Sequence, residues 1–332
     1  MIAWLAKEVS WRDLGVRAVL PLALLLAWDL RASAEDVTKM VSIGVLAAAE
    51  TRPIQSFRER LHELGWVEGK NVRFDYRWAE ADDTRQLPLA SELVALPVDL
   101  ILTWGTEASL AAKRATTIPI VMGSVGDPVA ASIVSSLARP GGNVTGFASQ
   151  SLELETKRLE MLRDLLPSIA RVVMLGNTPN RYIDLAMERT GRVAAAAGLD
   201  FNPVKIASAN VLGLGLDEVR RAHPDAVLVT AAPAFFPYRN TIVAFMAENR
   251  LPAIYGFPEF PEAGGLISYS TDFNELFRQA AGYADKILRA AAPGELIQQA
   301  TLFRLVINLT AAKAVGLRVP PTLLDRADEV IE

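Results

Sequence analysis

A strand-and-helix unit that is written twice limits this chain more than any other feature. Pro97–Leu110 reads PVDLILTWGTEASL and Pro224–Ala234 reads PDAVLVTAAPA. In each, an aspartate in a proline turn precedes a short apolar run that opens into small residues. Around both units, short β-branched runs alternate with longer amphipathic segments, the pattern of a parallel sheet covered by helices. The first series expects strands at 41–46, 71–78, 99–103 and 118–123, separated by helices at 54–64, 87–96 and 107–115. The second expects strands at 171–177, 201–206, 226–230 and 251–256, with helices at 182–197, 212–222 and 239–249. In both series the fourth strand opens with an apolar residue followed by proline, Ile118-Pro119 and Leu251-Pro252. The fold class expected is α/β: two similar Rossmann-like lobes, each large enough to fold around its own parallel sheet.

The connections give the domain plan. Between the series, Arg139–Asn143 is a Pro-Gly-Gly turn and Val144–Ala148 is extended with little apolar sequence, so a hinge is expected near 139–150. After Gly264-Gly265 the chain is expected to return to the first lobe through LISYS (266–270) and a helix at 275–291, and to cross a third time near LFRLVINL (302–309). Lobe 1 is therefore 41–147 plus about 266–297, and lobe 2 is 151–265 plus about 302–332. A multi-strand hinge permits closure and suppresses free rotation.

Composition removes several classes of function. A formal net charge of −4, from 34 basic and 38 acidic residues spread evenly, supplies no basic field for nucleic acid. The chain has no cysteine and only His62 and His223 as histidines, so thiolate chemistry and histidine- or cysteine-rich metal sites are not expected. No G-x-S-x-G elbow or Walker-type lysine loop is present, and the glycines of GLGLDE (213–218) do not follow a strand in the dinucleotide-binding manner. Neither enzymatic activity nor a cofactor is expected. At the N-terminus, Lys7, Arg12 and Arg17 precede the apolar run Ala18–Trp28, and Ala32-Ser33-Ala34 follows. That order reads as an export signal, 1–34, and predicts a periplasmic protein. The run is about half of the ~20 apolar residues that a membrane-spanning helix needs.

In open parallel sheets, ligands bind where strand ends meet helix N-termini, so two facing lobes make a cleft from those loops. Gly105 and Thr106 open a helix and can offer N–H groups and a hydroxyl to a carboxylate, or Thr106 can cap its helix. Asp127, between Gly126 and Pro128, can take an ammonium group or act as an N-cap. Phe235, Phe236, Tyr238, Tyr255 and Phe257 cluster at two strand ends, where two or three of them would meet an apolar ligand body. The ligand-binding set expected is Ala48, Glu50, Gly105, Thr106, Ser124, Asp127, Asn177, Ala232, Phe236, Tyr255 and Phe257, with Glu50 and Glu259 placed either to meet a cation or to face water.

Several longer stretches resemble a known family. GDPVAASIVSSLARPGGNVTGF (126–147), EAGGLISYSTD (262–272) and INLTAAKAVGLRVPPTLLDRADEVIE (307–332) occur in the order found in ABC-transporter substrate-binding proteins, a family with tryptophan- and tyrosine-binding members. LHELGWVEGKNVRFDYRWAE (61–80) and IPIVMGSVGDPV (118–129) add to the resemblance, which runs from about Val41 to the C-terminus. It implies a type I periplasmic-binding-protein fold, a monomer that captures a small solute between its lobes and delivers it to an inner-membrane ABC permease. It also implies that the loops at 105–106 and 126–128 lie near the ligand. The sequence departs from the family's pattern at ELIQQAT (295–301) and in the two-glycine helix 211–222. The other reading of the same fold is a sensory module that presents its occupied form to a receptor.

Overall fold

The computed structural model describes residues 40–80, 82–293 and 297–332; the expected export signal, 1–34, lies outside the described residues. The chain begins with β1 (Val41–Ala47), α1 (Arg52–Glu63), β2 (Val72–Trp78), α2 (Gln86–Val94), β3 (Leu100–Trp104), α3 (Thr106–Ala115), β4 (Ile120–Val125) and β5 (Val144–Ala148). β1, β3, β4 and β5 are buried along their whole length, as expected of parallel strands with helices on both faces. The second lobe runs through α4 (Ser151–Leu165), β6 (Arg171–Asn177), α5 (Arg181–Ala196), β7 (Asp200–Ile206), α6 (Leu212–Arg221), β8 (Ala226–Val229), α7 (Arg239–Glu248), β9 (Ala253–Tyr255), α8 (Glu259–Glu262) and β10 (Ile267–Thr271). It is followed by α9 (Phe273–Leu288), β11 (Ile297–Gln299), β12 (Phe303–Asn308), α10 (Leu309–Ala314), α11 (Pro321–Leu324) and β13 (Glu329–Ile331).

Among the described residues these strands form a six-stranded sheet, β11-β5-β4-β3-β1-β2, and a seven-stranded sheet, β13-β12-β10-β9-β8-β6-β7. The first is parallel throughout, and the second is parallel except for the β10–β12 pair. The repeated aspartate explains why the unit is written twice. Asp99 Oδ2 accepts the Ser42 N–H at 2.9 Å while its own N–H donates to Ser42 O at 2.8 Å, tying β3 to the start of β1. Asp225 does the same for β8 and β6: its Oδ2 accepts from Ala170 and Arg171 N–H at 2.9 and 2.8 Å, and its N–H donates to Arg171 O at 2.9 Å. The two donated N–H groups hold the Asp225 carboxyl below its ordinary range. Asp328 repeats the exchange with Leu305 between β13 and β12, at 2.7 and 2.9 Å.

Two expectations about the connections change. Val144–Ala148 is not hinge but β5, buried between β4 and β11; Gly146, at φ +125, lies so close to the Met122 backbone that a side chain would not fit. LISYS does not return to the first lobe. As β10 it pairs with β9 and β12, because the Gly264-Gly265 turn folds back tightly, with Gly265 against the Tyr255 ring and the Phe260 carbonyl. The return is made by α9, which is capped by Asp272 Oδ1 on the Glu275 N–H at 3.1 Å and packs on α1, β4 and β5. The third crossing comes where it was expected, just before LVINL, which belongs to the second sheet as part of β12.

The three crossings therefore lie at Ser149-Gln150, Thr271-Asp272 and Ala300–Leu302. They are bonded to one another: Thr271 Oγ1 donates to Ser149 O at 2.7 Å, Gln150 Nε2 to Ala300 O at 2.6 Å, and Asp272 N to Leu302 O at 2.9 Å. Among the described residues, no helix is long and apolar enough to cross a membrane.

Candidate functional site

Five aromatic rings meet where the two sheets face each other. Trp104, the last residue of β3 and 3% exposed, lies 5.1 and 6.0 Å from Phe277 and Phe273 of α9, on its own lobe. Across the cleft it lies 5.2 Å from Phe236 and 6.1 Å from Phe257, which are themselves 4.5 Å apart. Tilted and edge-on contacts at these spacings are favourable for aromatic pairs.

Beside this cluster the lobes enclose an inner cavity of about 20 Å³. Its wall comes from Trp104, Gly105, Thr106, Ser124 and Gly126 on one lobe and from Asn180, Tyr182, Ala231, Pro233 and Phe257 on the other, with Ser149 from a crossing, Ser151 from the start of α4 and Phe273 from α9. That volume holds about one water, so a solute of amino-acid size enters only when the lobes part. A second, outer cavity of about 570 Å³ opens at the mouth, lined from one side by residues 49–52 and Gln55 and from the other by Phe236, Pro237, Arg239, Asn240, Glu259, Glu262 and Ala263. Phe236 lines this mouth and touches both Trp104 and Phe257 of the inner wall.

The lobes are held together by polar contacts as well. Asp83 Oδ2, in a turn after β2, accepts Asn177 Nδ2 at 2.6 Å and Asn180 Nδ2 at 2.9 Å from the second lobe. Glu107 Oε1 accepts the Arg181 N–H at 2.9 Å, and Arg181 Nε donates to Ala130 O at 3.0 Å. Both first-lobe carboxylates thus sit at the N-terminus of α5, where the helix dipole favours negative charge. Burial nevertheless raises both above the carboxylate range; the Asn180, Asn177 and Gln86 bonds offset this in part for Asp83, and the Arg181 N–H does so for Glu107. At the mouth, Arg52 and Glu262 add an exposed bridge of 3.5 Å between the lobes.

Behind the second-lobe wall lies a buried ion pair. Glu155 and Arg158 of α4 are both 0% exposed and 2.6 Å apart. Glu155 Oε1 accepts the Tyr182 hydroxyl at 2.5 Å and the Ala231 N–H at 3.2 Å, and Arg158 Nε donates to Tyr269 O at 2.7 Å. Burial together with the adjacent Glu155 charge pushes the Tyr182 phenol well above its ordinary range, so it remains a donor to Glu155. Tyr182 is thereby held by its hydroxyl, and its ring lies against Gly126 of the opposite lobe.

The expected residues divide accordingly. Gly105, Thr106, Ser124 and Phe257 line the inner cavity, and Glu50 and Phe236 line the mouth. Thr106 does not cap α3; Gly105, at φ +99, precedes it and the helix has no side-chain cap. Asp127 caps no helix, since none lies between β4 and β5; its Oδ1 closes a turn, accepting the Val129 and Ala130 N–H groups at 3.0 and 2.9 Å. Asn177 holds Asp83 from a separate narrow cavity inside the second lobe. Ala48 and Ala232 are buried backbone positions at strand ends, and Tyr255 stacks on Phe260 at 4.8 Å within the core. Asp83 and Phe273 fell outside every loop singled out from the sequence, and Ser149 and Ser151 lay at the end of the segment expected as hinge, with no ligand role given to them. Asp83 sits in an Asp-Asp-Thr turn and Phe273 follows the helix-capping Asp272, signals that mark local structure and say nothing about which lobe they face.

Comparison with known proteins agrees with this fold. The family model of the ABC transporter substrate-binding proteins matches residues 40–331. A tyrosine-binding protein of Clostridioides difficile is 25% identical over 295 residues, covering 85% of this chain and 83% of that protein. The fold is that of the type I periplasmic binding proteins. The structure of an ABC domain from Streptococcus pneumonia in complex with L-Trp superposes with a TM-score of 0.80 at 24% identity, covering 88% of this chain and all of that one. The ligand-free, open structure of a substrate-binding protein with adhesive properties from Clostridium difficile gives 0.60 at 24% identity, covering 88% and 99%. With its two parallel-sheet lobes, its cleft between strand ends and a family match over nearly all of the described chain, this protein belongs to the ABC transporter substrate-binding protein family.

Proposed function

We propose that the chain is the exported solute-binding component of an ABC importer, and that its solute is an amino acid with an aromatic side chain, captured between the lobes and handed to an inner-membrane permease. The observation that carries the solute class is the ring cluster joining the lobes, in which Trp104, Phe236, Phe257 and Phe273 stand beside a cavity edged by the hydroxyls of Thr106, Ser124, Ser149 and Ser151. Rings accept a flat apolar body, while N–H and hydroxyl groups at the start of α3 suit a carboxylate. Kinship with a tyrosine-binding protein supports the same class.

The functional event is closure. The bonded crossings act as the hinge, and Asp83, Glu107 and the aromatic cluster supply contacts between the lobes that parting them removes. A solute that adds contacts in the closed form shifts the population toward it, and the permease reads that form. The chain superposes with a higher TM-score on the L-Trp complex than on the open structure, 0.80 against 0.60, which supports treating these contacts as those of the closed form. A thermal-shift screen of all amino acids, followed by calorimetry, tests the reading. Stabilisation by tryptophan, tyrosine or phenylalanine is expected; a screen in which no aromatic amino acid raises the melting temperature rejects the solute class.

A further inference from the structure

The ion pair behind the second-lobe wall is poorly built for stability. Glu155 and Arg158 are both fully buried, yet Arg158 Nη2 has no hydrogen-bond partner among the described residues. Desolvating two charges is repaid only where their remaining donors and acceptors are bonded, and apolar side chains of similar volume often serve a core as well or better. What sets this pair apart is its neighbours. Glu155 Oε1 accepts from the Tyr182 hydroxyl at 2.5 Å and from the Ala231 N–H at 3.2 Å, and both residues line the inner cavity. They come from different loops, Tyr182 from the start of α5 and Ala231 from just after β8. Glu155 itself stands one helical turn beyond Ser151, a third wall residue, at the start of α4. Arg158 donates to the carbonyl of Tyr269, two residues before Thr271, whose hydroxyl donates to Ser149 O in the neighbouring crossing.

We propose that Glu155 is a positioning residue for solute binding: by holding Tyr182 and Ala231 together from α4, it fixes the second-lobe wall in the shape on which the first lobe closes; this rests on the cleft being the solute site. Glu155 is not part of the cavity wall and acts through these two neighbours. The contact that it serves has little slack. A Cβ on Gly126 of the first lobe would lie 2.6 Å from Tyr182 Cδ2, so a small shift of the ring is felt directly in the closed form. Arg158 balances the charge of Glu155 and ties the same helix to β10 beside the hinge.

The experiment compares two double variants, both of which remove the buried charges. Glu155→Met with Arg158→Met takes the acceptor away, whereas Glu155→Gln with Arg158→Met keeps a carbonyl oxygen on the side chain. Both are read by calorimetry with L-tyrosine and L-tryptophan, by urea denaturation, and by amide hydrogen exchange in segments 181–184 and 229–233. The first is expected to keep most of the stability of wild type but to bind about tenfold or more weakly, with faster exchange in both segments. The second is expected to recover most of the affinity and the protection. Tyr182→Phe, which removes only the hydroxyl, is expected to weaken binding in the same direction. Equal affinity in the two double variants overturns the positioning role, whatever their stability. If wild-type protein binds neither amino acid, the solute class fails, and the exchange comparison, which needs no solute, decides the positioning role: equal exchange overturns it. If the double variants do not fold, Tyr182→Phe decides, since affinity equal to that of wild type overturns the proposal and a loss of affinity at unchanged stability supports it.

Discussion

Replacing Gly126 by alanine puts one methyl group into the plane where the lobes meet. A Cβ at this position would lie 2.6, 3.0 and 3.2 Å from Cδ2, Cε2 and Cγ of Tyr182 in the opposite lobe. A flexible side chain would move aside, but the Tyr182 ring is 6% exposed and its hydroxyl is held by buried Glu155 at 2.5 Å. The clash must therefore be relieved by moving the lobes. Overpacking by a methyl group in a close-packed contact costs about 1–3 kcal/mol, and here the cost falls on the closed form alone. Every 1.4 kcal/mol is a factor of ten, so binding of the solute is expected to weaken by roughly 5- to 150-fold. Calorimetry measures that loss, and the fluorescence of Trp104, now packed among phenylalanines, shifts to longer wavelength as the lobes part. Gly213→Ala is the matched control, since a Cβ there meets nothing within 4 Å. A folded Gly126→Ala protein that binds its solute as tightly as wild type would refute the argument that this contact defines the closed form.

Other expectations follow from the same contacts. Closure raises the carboxyls of Asp83 and Glu107, so the closed form takes up protons; affinity is expected to be highest at low pH and to fall as pH rises from the ordinary carboxylate values of 3.8 and 4.5 through the raised ones. Asp83→Asn removes its share of that slope, which affinity measured across the acid range in both proteins checks, with the neighbouring Asp82 left in place. Arg158→Met leaves Glu155 buried and unpaired, and urea denaturation is expected to show a loss of about 3–5 kcal/mol, much of it recovered when Glu155 is also replaced by an apolar residue. Gly213→Ala, at the second residue of α6, is expected to stabilise the protein in the same assay by less than the ~1 kcal/mol of a helix-interior exchange, without altering affinity.

Much of the architecture was readable in the chain because a parallel sheet makes local demands. Strands covered on both faces must be continuous apolar runs, and VSIGVL, DLILT and AVLVT announce β1, β3 and β8 without any partner in view. The paired aspartates were legible for the same reason: Asp99 and Asp225 bond backbone groups at the neighbouring strand's start, so each recurs wherever its unit does. The site was less legible. Thr106, Ser124, Phe236 and Phe257 could be named because strand ends in such sheets are where ligands bind, but the same rule also nominated Asp127 and Tyr255, which the local turn and the second-lobe core take up instead.

The sequence by itself determined two parallel-sheet lobes, the strand-end loops that face each other, and membership in a binding-protein family, since each depends on periodicity, turn chemistry or contiguous motifs. Only the tertiary structure decided which lobe owns β10, that Val144–Ala148 is strand rather than hinge, and that Asp83 and Phe273 take part in the cleft. Those facts depend on contacts between residues far apart in the chain, such as Asp83 with Asn177 and Gly126 with Tyr182. An aspartate in a turn or a phenylalanine after a helix cap has the same local pattern whether it faces solvent, its own core or the opposite lobe; its partner is chosen by the packing of two separately folded sheets.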